Sequence, residues 1–534
     1  MKYNNNLRNI LFPVIIALSV VLGIFIARML PGSNSHPPMT VKPRSDKVGN
    51  ILNIIEAKYV DSVDRKAIVE DAIPYILNKL DPHSVYIPAR DFQRMNEPLQ
   101  GNFDGIGVSF NMLTDTVLII STIPGGPSEK AGVMPGDKII YVGDSLIAGQ
   151  NIPDQGVISL LKGPRGTEVN IRILRKGEDS LLPFTLKRDK IPIFSVDVSY
   201  MVDETTGYIK ISRFSMTTYS EFLEGLQKLK SKGMQRLILD LRGNVGGVMD
   251  PATQISDEFL EEGKLIVYTE GRASPRQDIY ATSAGSFLDG ELIILQDEWS
   301  ASASEILAGA IQDNDRGTII GRPSFGKGLV QEPMGFNDGS ALRLTIARYY
   351  TPTGRSIQKP YNNGTEEYYA EFHDRFLRGE LWDVDSIQFA DSLKFTTPGG
   401  KTVYGGGGIM PDYFVPADTS GNSSYFARLS RAGLIYRFSL KYSDDNREAL
   451  TALKTPEEFE EYLQKETVLA KFISYAGEKG IKANRSGLAQ SGDIIEIQLM
   501  AYIARNFIDN DGFYPIWENL DTTLKAAIDY LVKE

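Results

Sequence analysis

An α/β multidomain protein is the fold class this sequence predicts, and three textures along its 534 residues predict it. From 191 to 416 apolar strands alternate with amphipathic helices, the pattern of a sheet flanked by helices. From 101 to 188 short strands are separated by glycine turns, a β-rich insertion of different character. On either side, at 45–97 and beyond 418, apolar residues recur at helical spacing. A chain of this length holds several domains.

Residues 10–27 form an apolar run with Lys2 and Arg8 ahead of it. The run is just long enough to span a bilayer. No clean small-residue cleavage signature follows it, so it reads as an uncleaved signal-anchor, with a cleaved signal peptide as the other reading. The basic residues ahead of it favour a cytoplasmic N-terminus. The expectation is therefore a single-pass protein of the inner membrane, tethered through this helix, with the bulk of the chain on the periplasmic side. Residues 1–30 are assigned to this anchor and 31–44 to a Pro/Ser-rich linker.

Residues 45–98 form a helical segment. Val48, Ile51, Leu52, Ile54 and Ile55 make one apolar stripe, and Ile68, Ala72, Ile73, Ile76, Leu77 and Leu80 another. Pro74 is expected to kink or restart the second helix. Asp81-Pro82-His83-Ser84 breaks it, with His83 as a turn or cap residue, and a third helix follows Pro88. Packing or dimerisation is the expected use.

Residues 99–189 carry strands at GIGVSF, VLIISTI, DKIIYVGD, VNIRILRK and LLPFTLKR, with short helices at 128–131 and 153–161. This segment resembles a PDZ domain, most specifically at PSEKAGVMPGDKIIYVGD. Such domains add a peptide as an extra strand and hold its terminal carboxylate on backbone N–H groups. The resemblance puts the carboxylate loop on Gly105, Ile106, Gly107 and Val108, and the two apolar residues beside a pocket for an apolar last side chain.

In residues 190–417, strands are expected at 208–214, 236–241, 292–295, 318–320 and 342–350, and helices at 217–232, 251–261 and 304–312. The strand at 236–241 runs into Arg242-Gly243-Asn244-Val245-Gly246-Gly247, a glycine-rich loop that exposes backbone N–H groups at the edge of a sheet. Ser300, Ser302 and Ser304 stand where another strand feeds a helix, beside the unpaired first N–H groups of that helix. A hydroxyl there has an anion site at hand, as an acyl-transfer nucleophile requires. Ser302-x-x-Glu305 is equally a helix capping box, and the two roles can coexist. Lys327, between Gly326 and Gly328, is the nearest candidate base. The run from Gly321 to Lys327 misses the phosphate-loop pattern, because Gly328 stands where Ser or Thr is needed.

Composition excludes other chemistries. A net charge of −11 argues against a nucleic-acid partner. Cysteine is absent, and the three histidines fall outside any zinc-hydrolase pattern. No cofactor or metal is expected.

Taken together, the segments DPHS, DLRGNVGG, SASASEI, GRPSFGKGLVQ and YYTPTGRSIQ, with the PDZ-like insertion, resemble the C-terminal processing peptidases, also called tail-specific proteases. The resemblance runs from about residue 48 to 416. It implies a crotonase/ClpP-like ββα protease core with an inserted PDZ domain. It also implies a serine endopeptidase with a Ser/Lys dyad, acting on protein substrates with free C-terminal tails. The family pattern places the nucleophile on Ser302, the base on Lys327 and an orienting amide on Gln331; Gly247 and Ala303 N–H groups could make the oxyanion hole. Lys162 stands where members often carry arginine, which leaves Arg-mediated gating in doubt.

A lysine ordinarily titrates near 10.4, so a base useful around neutrality must favour its neutral amine by roughly 4 kcal/mol. Burial can supply that, with Phe325 and Leu329 as expected walls. Gln331 would orient the amine without adding charge. Residues 418–534 read as a helical domain, with 506–512 as a turn. It is expected to be an appendage that pairs in a homodimer or docks an adaptor protein. Two other readings stay open: a catalytically silent PDZ scaffold, or a binder of small apolar ligands on the same core.

Overall fold

The computed structural model describes residues 46–112, 115–388 and 390–533. The chain divides into two compact units, Met1–Asp71 and Ala72–Glu534. In the first, helix Lys47–Lys58 is capped by Asp46, whose carboxylate accepts the Gly49 N–H, and it buries none of its side chains. The next helix, Arg65–Leu77, runs through Pro74 instead of restarting there.

The larger unit is built on a six-stranded sheet whose spatial order follows the chain. Its elements are β1 (Val196–Met201), β2 (Thr206–Ile211), α1 (Thr218–Ser231), β3 (Arg236–Asp240), α2 (Met249–Asp257), β4 (Glu291–Gln296), α3 (Ala303–Asp313), β5 (Thr318–Gly321) and β6 (Tyr413–Phe414). Strands β2 to β6 are parallel and β1 is antiparallel to β2. Strands buried on both faces need the unbroken apolar runs Leu237-Ile238-Leu239 and Leu292-Ile293-Ile294-Leu295. One face packs on α1, α2 and α3 through Phe222, Leu226, Ile255, Leu307 and Ile311. The other is covered by helix α4 (Thr522–Lys533), whose Leu524, Ala527 and Leu531 meet Ile238, Ile293, Leu295 and Ile320. The far C-terminal helix is thus part of the sheet's packing, where an appendage was expected.

A second, antiparallel sheet pairs Ala341–Tyr350 with Leu329–Gly335, Leu265–Glu270 and Val85–Ile87, and Leu265–Glu270 with Gln277–Tyr280. The strand at 85–87 comes from the segment read as purely helical. It brings the turn at 81–84 against Ala341–Tyr350.

The insertion forms a six-stranded antiparallel sheet over 108–187, with helices Pro127–Ala131 and Asp154–Leu161. Its entry and exit strands, Asn102–Gly105 and Asp189–Pro192, pair with each other. Strand Val108–Met112 is an edge of the sheet. Ile106 lies in the hydrophobic core of this sheet and Val108 is only partly buried.

Beyond Ser423 the chain is helical: Ser424–Arg431, Leu434–Asp445, Arg447–Thr451, Pro456–Lys465, Val468–Glu478, Arg485–Trp517 and α4. Within the turn expected at 506–512, Ile508 and Asp509 leave helical geometry, and the stretch Arg485–Trp517 is two helices meeting across that kink.

The expected placement as a single-pass protein of the inner membrane is corrected. Among the described residues no helix is long and apolar enough to cross a membrane. The stretch Arg485–Trp517 is two helices joined across a kink at Ile508 and Asp509, and it carries Asp493, Glu496, Arg505 and Asp511. The apolar run 10–27 lies outside the described residues.

Candidate active site

The carboxyl ends of β3 and β4 lie side by side, Asp240 opposite Leu295, and the loops leaving them meet. Crevices at this end of a parallel sheet are where ligands bind. Asn244 fastens the two loops together: its carbonyl accepts from Ala301 N–H (3.0 Å) and Ser304 Oγ (2.9 Å). The turn at Ser302 can then press onto Gly246, where a Cβ would stand 2.7 Å from the Ser302 Cβ and 2.6 Å from Ala301 O. Gly247, at φ 148°, is equally confined, since a Cβ would fall 1.9 Å from Phe214 O. The bridge between Phe214 and this loop uses Gly246 O and Val248 N–H, not Gly247 N–H.

Ser302 sits at φ 56°, ψ −112°, a region that costs a side-chain-bearing residue a few kcal/mol. Three groups hold it there. Its N–H donates to Glu305 (2.7 Å), its carbonyl accepts from Tyr349 Oη (3.1 Å), and Gly246 limits its space.

Glu305 does more than cap α3. Its fully buried carboxylate also accepts the N–H groups of Gly326 (2.8 Å) and Lys327 (2.9 Å) and the Ser324 hydroxyl (2.5 Å). The same two oxygens therefore tie the serine turn to the lysine loop. Burial pushes this carboxyl up to about 7, against the pull of its four donors. Tyr349 makes a second tie, donating to the carbonyls of Ser302 and Lys327 (2.5 Å).

The Lys327 amine is drawn to Gln331, donating to its Oε1 at 3.2 Å. Gln331 Nε2 in turn donates to the His83 carbonyl, which fixes the amide with its oxygen toward the lysine. Burial lowers the lysine's pKa and the Arg343 charge acts in the same direction; Glu305 and Asp81 act against them. His83, itself buried and near the Lys327 charge, is held down to about 4. Its ring bonds the Tyr368 hydroxyl at 2.9 Å, and its turn is pinned by Asp81, which accepts from His83 N, Ser84 N and Ser84 Oγ.

Ser302, Ala303, Gly247, Lys327 and Gln331 all line one cavity of about 650 Å³, with Phe214, Arg343 and Tyr349. Leu329 is a wall of it as expected, but Phe325 is not. The turn at Gly326 (φ 90°) sends Phe325 to the other side, where it meets the Lys359 amine at 4.2 Å. Arg343, Tyr349 and the carbonyl of His83 were missed in the sequence, because nothing local marks them. The loop of Gly105, Ile106, Gly107 and Val108 runs from the entry strand into the inserted sheet and does not line this cavity. Lys162 at the end of helix Asp154–Leu161 bonds Glu97 at 2.5 Å, next to the cavity-lining Pro98.

The model of peptidase family S41 matches residues 205–367 and that of the PDZ domain matches 105–186. A family of unknown function matches 425–509. A carboxy-terminal-processing protease of Bartonella bacilliformis is 37% identical over 317 residues, covering 58% of this chain and 72% of that protein. The chain belongs to peptidase family S41. The carboxy-terminal processing protease CtpA of Bacillus subtilis is 32% identical over 350 residues, 65% of this chain and 74% of that one. Among solved structures, a photosystem II D1 C-terminal processing protease is 25% identical, with a TM-score of 0.34, covering 59% of this chain and 89% of that one. The peptide-bound PDZ domain of a carboxy-terminal protease from Vibrio cholerae is 32% identical, with a TM-score of 0.16, covering 17% of this chain and 97% of that one. As an S41 member this protein is a serine-type peptidase carrying a PDZ domain, and its S41 core and PDZ insertion are those the sequence led one to expect.

Proposed function

We propose that this S41 peptidase trims proteins from free C-terminal tails with a Ser302/Lys327 dyad. Ser302 Oγ attacks the scissile carbonyl carbon as Lys327 Nζ takes its proton. The oxyanion is held by the N–H groups of Gly247 and Ala303. As the C–N bond breaks, Lys327 returns the proton to the leaving amine; water then repeats the sequence on the ester. Gln331 aims the amine. The observation that carries this reading is the shared cavity: a strained serine, two helix-end and loop N–H groups, and a partly buried lysine whose polar partner is a neutral amide. A carboxylate in Gln331's place would hold the proton on the amine.

In this reading residues 190–417 form the peptidase core and 99–189 the PDZ domain. Gly105, Ile106, Gly107 and Val108 receive the tail's carboxylate, and the tail lies along the free edge Val108–Met112. Support comes from the edge position of that strand and from the match of residues 105–186 to the PDZ model. The helix Lys47–Lys58, with Val48, Ile51 and Ile54 at least half exposed, is proposed as a self-association surface.

The test is cleavage of a protein with an apolar free C-terminus. Ser302→Ala and Lys327→Ala should each abolish cleavage with an unchanged melting profile, and amidation of the substrate's C-terminus should slow the wild type. Turnover near wild type in either variant would sink the dyad.

A further inference from the structure

The helices beyond residue 423 engage both other parts of the larger unit. Towards the inserted sheet, Asn111 donates to the Tyr436 hydroxyl (2.6 Å) and Lys138 pairs with Asp444 (3.2 Å). Towards the peptidase sheet, Tyr514 donates to Asp197 (2.7 Å) and Tyr200 to Glu518 (2.7 Å). One further contact reaches the active-site loop itself. Asp521, just ahead of α4, takes both terminal nitrogens of Arg242, at 2.7 and 2.6 Å.

Arg242 is the residue at which β3 becomes the glycine loop. Its N–H donates to Asp240 (2.8 Å), its carbonyl accepts from Lys210 (3.1 Å), and its guanidinium spans Asp240 and Asp521. Gly243 N–H, one residue on, is held by Asp297 (2.9 Å). A two-nitrogen, two-oxygen pair fixes the plane of the guanidinium as well as its position. Asp521 is itself immobilised: it accepts the Leu524 N–H (2.9 Å) in the first turn of α4, and α4 is locked onto the sheet by Leu524, Ala527 and Leu531.

We propose that Asp521 is a positioning residue for hydrolysis: through Arg242 it sets where the glycine loop leaves β3, and so where Gly247 N–H meets the developing oxyanion. The C-terminal helical segment is then a working part of the active site, supplied from outside the S41 and PDZ matches. This rests on the reading of Gly247 as an oxyanion donor. A misplacement of about 1 Å at a reacting group costs on the order of a hundredfold in rate. The loop keeps its other anchors at Asn244 and Asp297, so about a hundredfold is the upper limit of the loss expected.

The experiment compares full-length wild type, Asp521→Asn, Asp521→Glu and Tyr514→Phe, with Ser302→Ala as the zero. Steady-state cleavage of a fluorogenic peptide with a free apolar C-terminus is read alongside thermal unfolding. Asp521→Asn should lower kcat by about tenfold to a hundredfold while KM stays within about threefold. Asp521→Glu should recover part of the kcat. Tyr514→Phe cuts a different tie of the same segment and should lower the melting temperature without lowering kcat. Wild-type kcat in Asp521→Asn, or equal kcat losses in Asp521→Asn and Tyr514→Phe, would overturn the proposal. Should Asp521→Asn fail to fold, a kcat for Asp521→Glu equal to wild type would overturn it as well. Activity in Ser302→Ala would instead overturn the catalytic reading on which it rests.

Discussion

Replacing Gln331 by glutamate puts a charge where the site holds a neutral amide, and the size of the effect can be worked out. The lysine amine is 3.2 Å from the Gln331 side-chain oxygen. A unit negative charge at that distance, at an effective dielectric constant of about 20, favours the ammonium by about 5 kcal/mol. The new carboxylate is itself partly desolvated, which returns some of this. About half surviving would leave the neutral amine roughly a hundredfold scarcer at pH 7.5. The assay is the initial rate of peptide cleavage followed from about pH 6 to 10. The rising limb of the profile should move up by roughly two pH units, with activity returning in strong alkali. Gln331→Leu is the control: it loses the aiming contact and the tie to His83, so its rate should drop while the limb stays near that of wild type. A Gln331→Glu limb coincident with wild type would mean that Lys327 does not titrate in the rate-determining step.

Three other outcomes follow from the same geometry. Gly246→Ala should cut cleavage by about a hundredfold or more, because the added methyl displaces the Ser302 turn; steady-state rates on a variant shown folded by circular dichroism check this. Between pH 4.5 and 7 folding holds a proton on Glu305 that the unfolded chain releases, so this group makes stability fall as pH rises. His83, held down to about 4, makes stability fall as pH drops from 6.5, and the two offset each other in the interval they share. In Glu305→Gln the histidine acts alone, so the melting temperature should decline more steeply than wild type from pH 6.5 to 4.5; parallel curves would refute the assignment. Replacing Val48, Ile51 and Ile54 together by serine should convert an associated protein to monomer in sedimentation velocity, with the melting of the larger unit unaffected.

Much of the site was legible because its parts are local. Serines between strand and helix, a glycine loop after an apolar strand and a glycine-flanked lysine each announce themselves within a few residues. Periodicity likewise gave strands Arg236–Asp240, Glu291–Gln296, Thr318–Gly321 and Ala341–Tyr350 and helices Thr218–Ser231 and Ala303–Asp313 to within a few residues. It did not give strands Val196–Met201, Leu265–Glu270 and Gln277–Tyr280 or helix Thr365–Arg378. What was hidden depends on partners far apart in the chain. The His83 carbonyl meets Gln331 across 248 positions, and Asp521 meets Arg242 across 279. Glu305 was recognised as a cap, and its service to the lysine loop could not be read from the same spacing. Phe325 was placed on the wrong side because Gly326 turns the chain between it and Lys327. The strand at 85–87 is three residues long, and strands that short carry no usable alternation.

The covering of the peptidase sheet by helix α4 bears on how the enzyme comes into being. Until that helix arrives, Ile238, Ile293, Leu295 and Ile320 present a bare greasy surface of neighbouring strands. Such surfaces favour aggregation during synthesis. A chain stopped short of residue 522 would leave that surface uncovered, so truncation there is expected to favour aggregation over a smaller working protease.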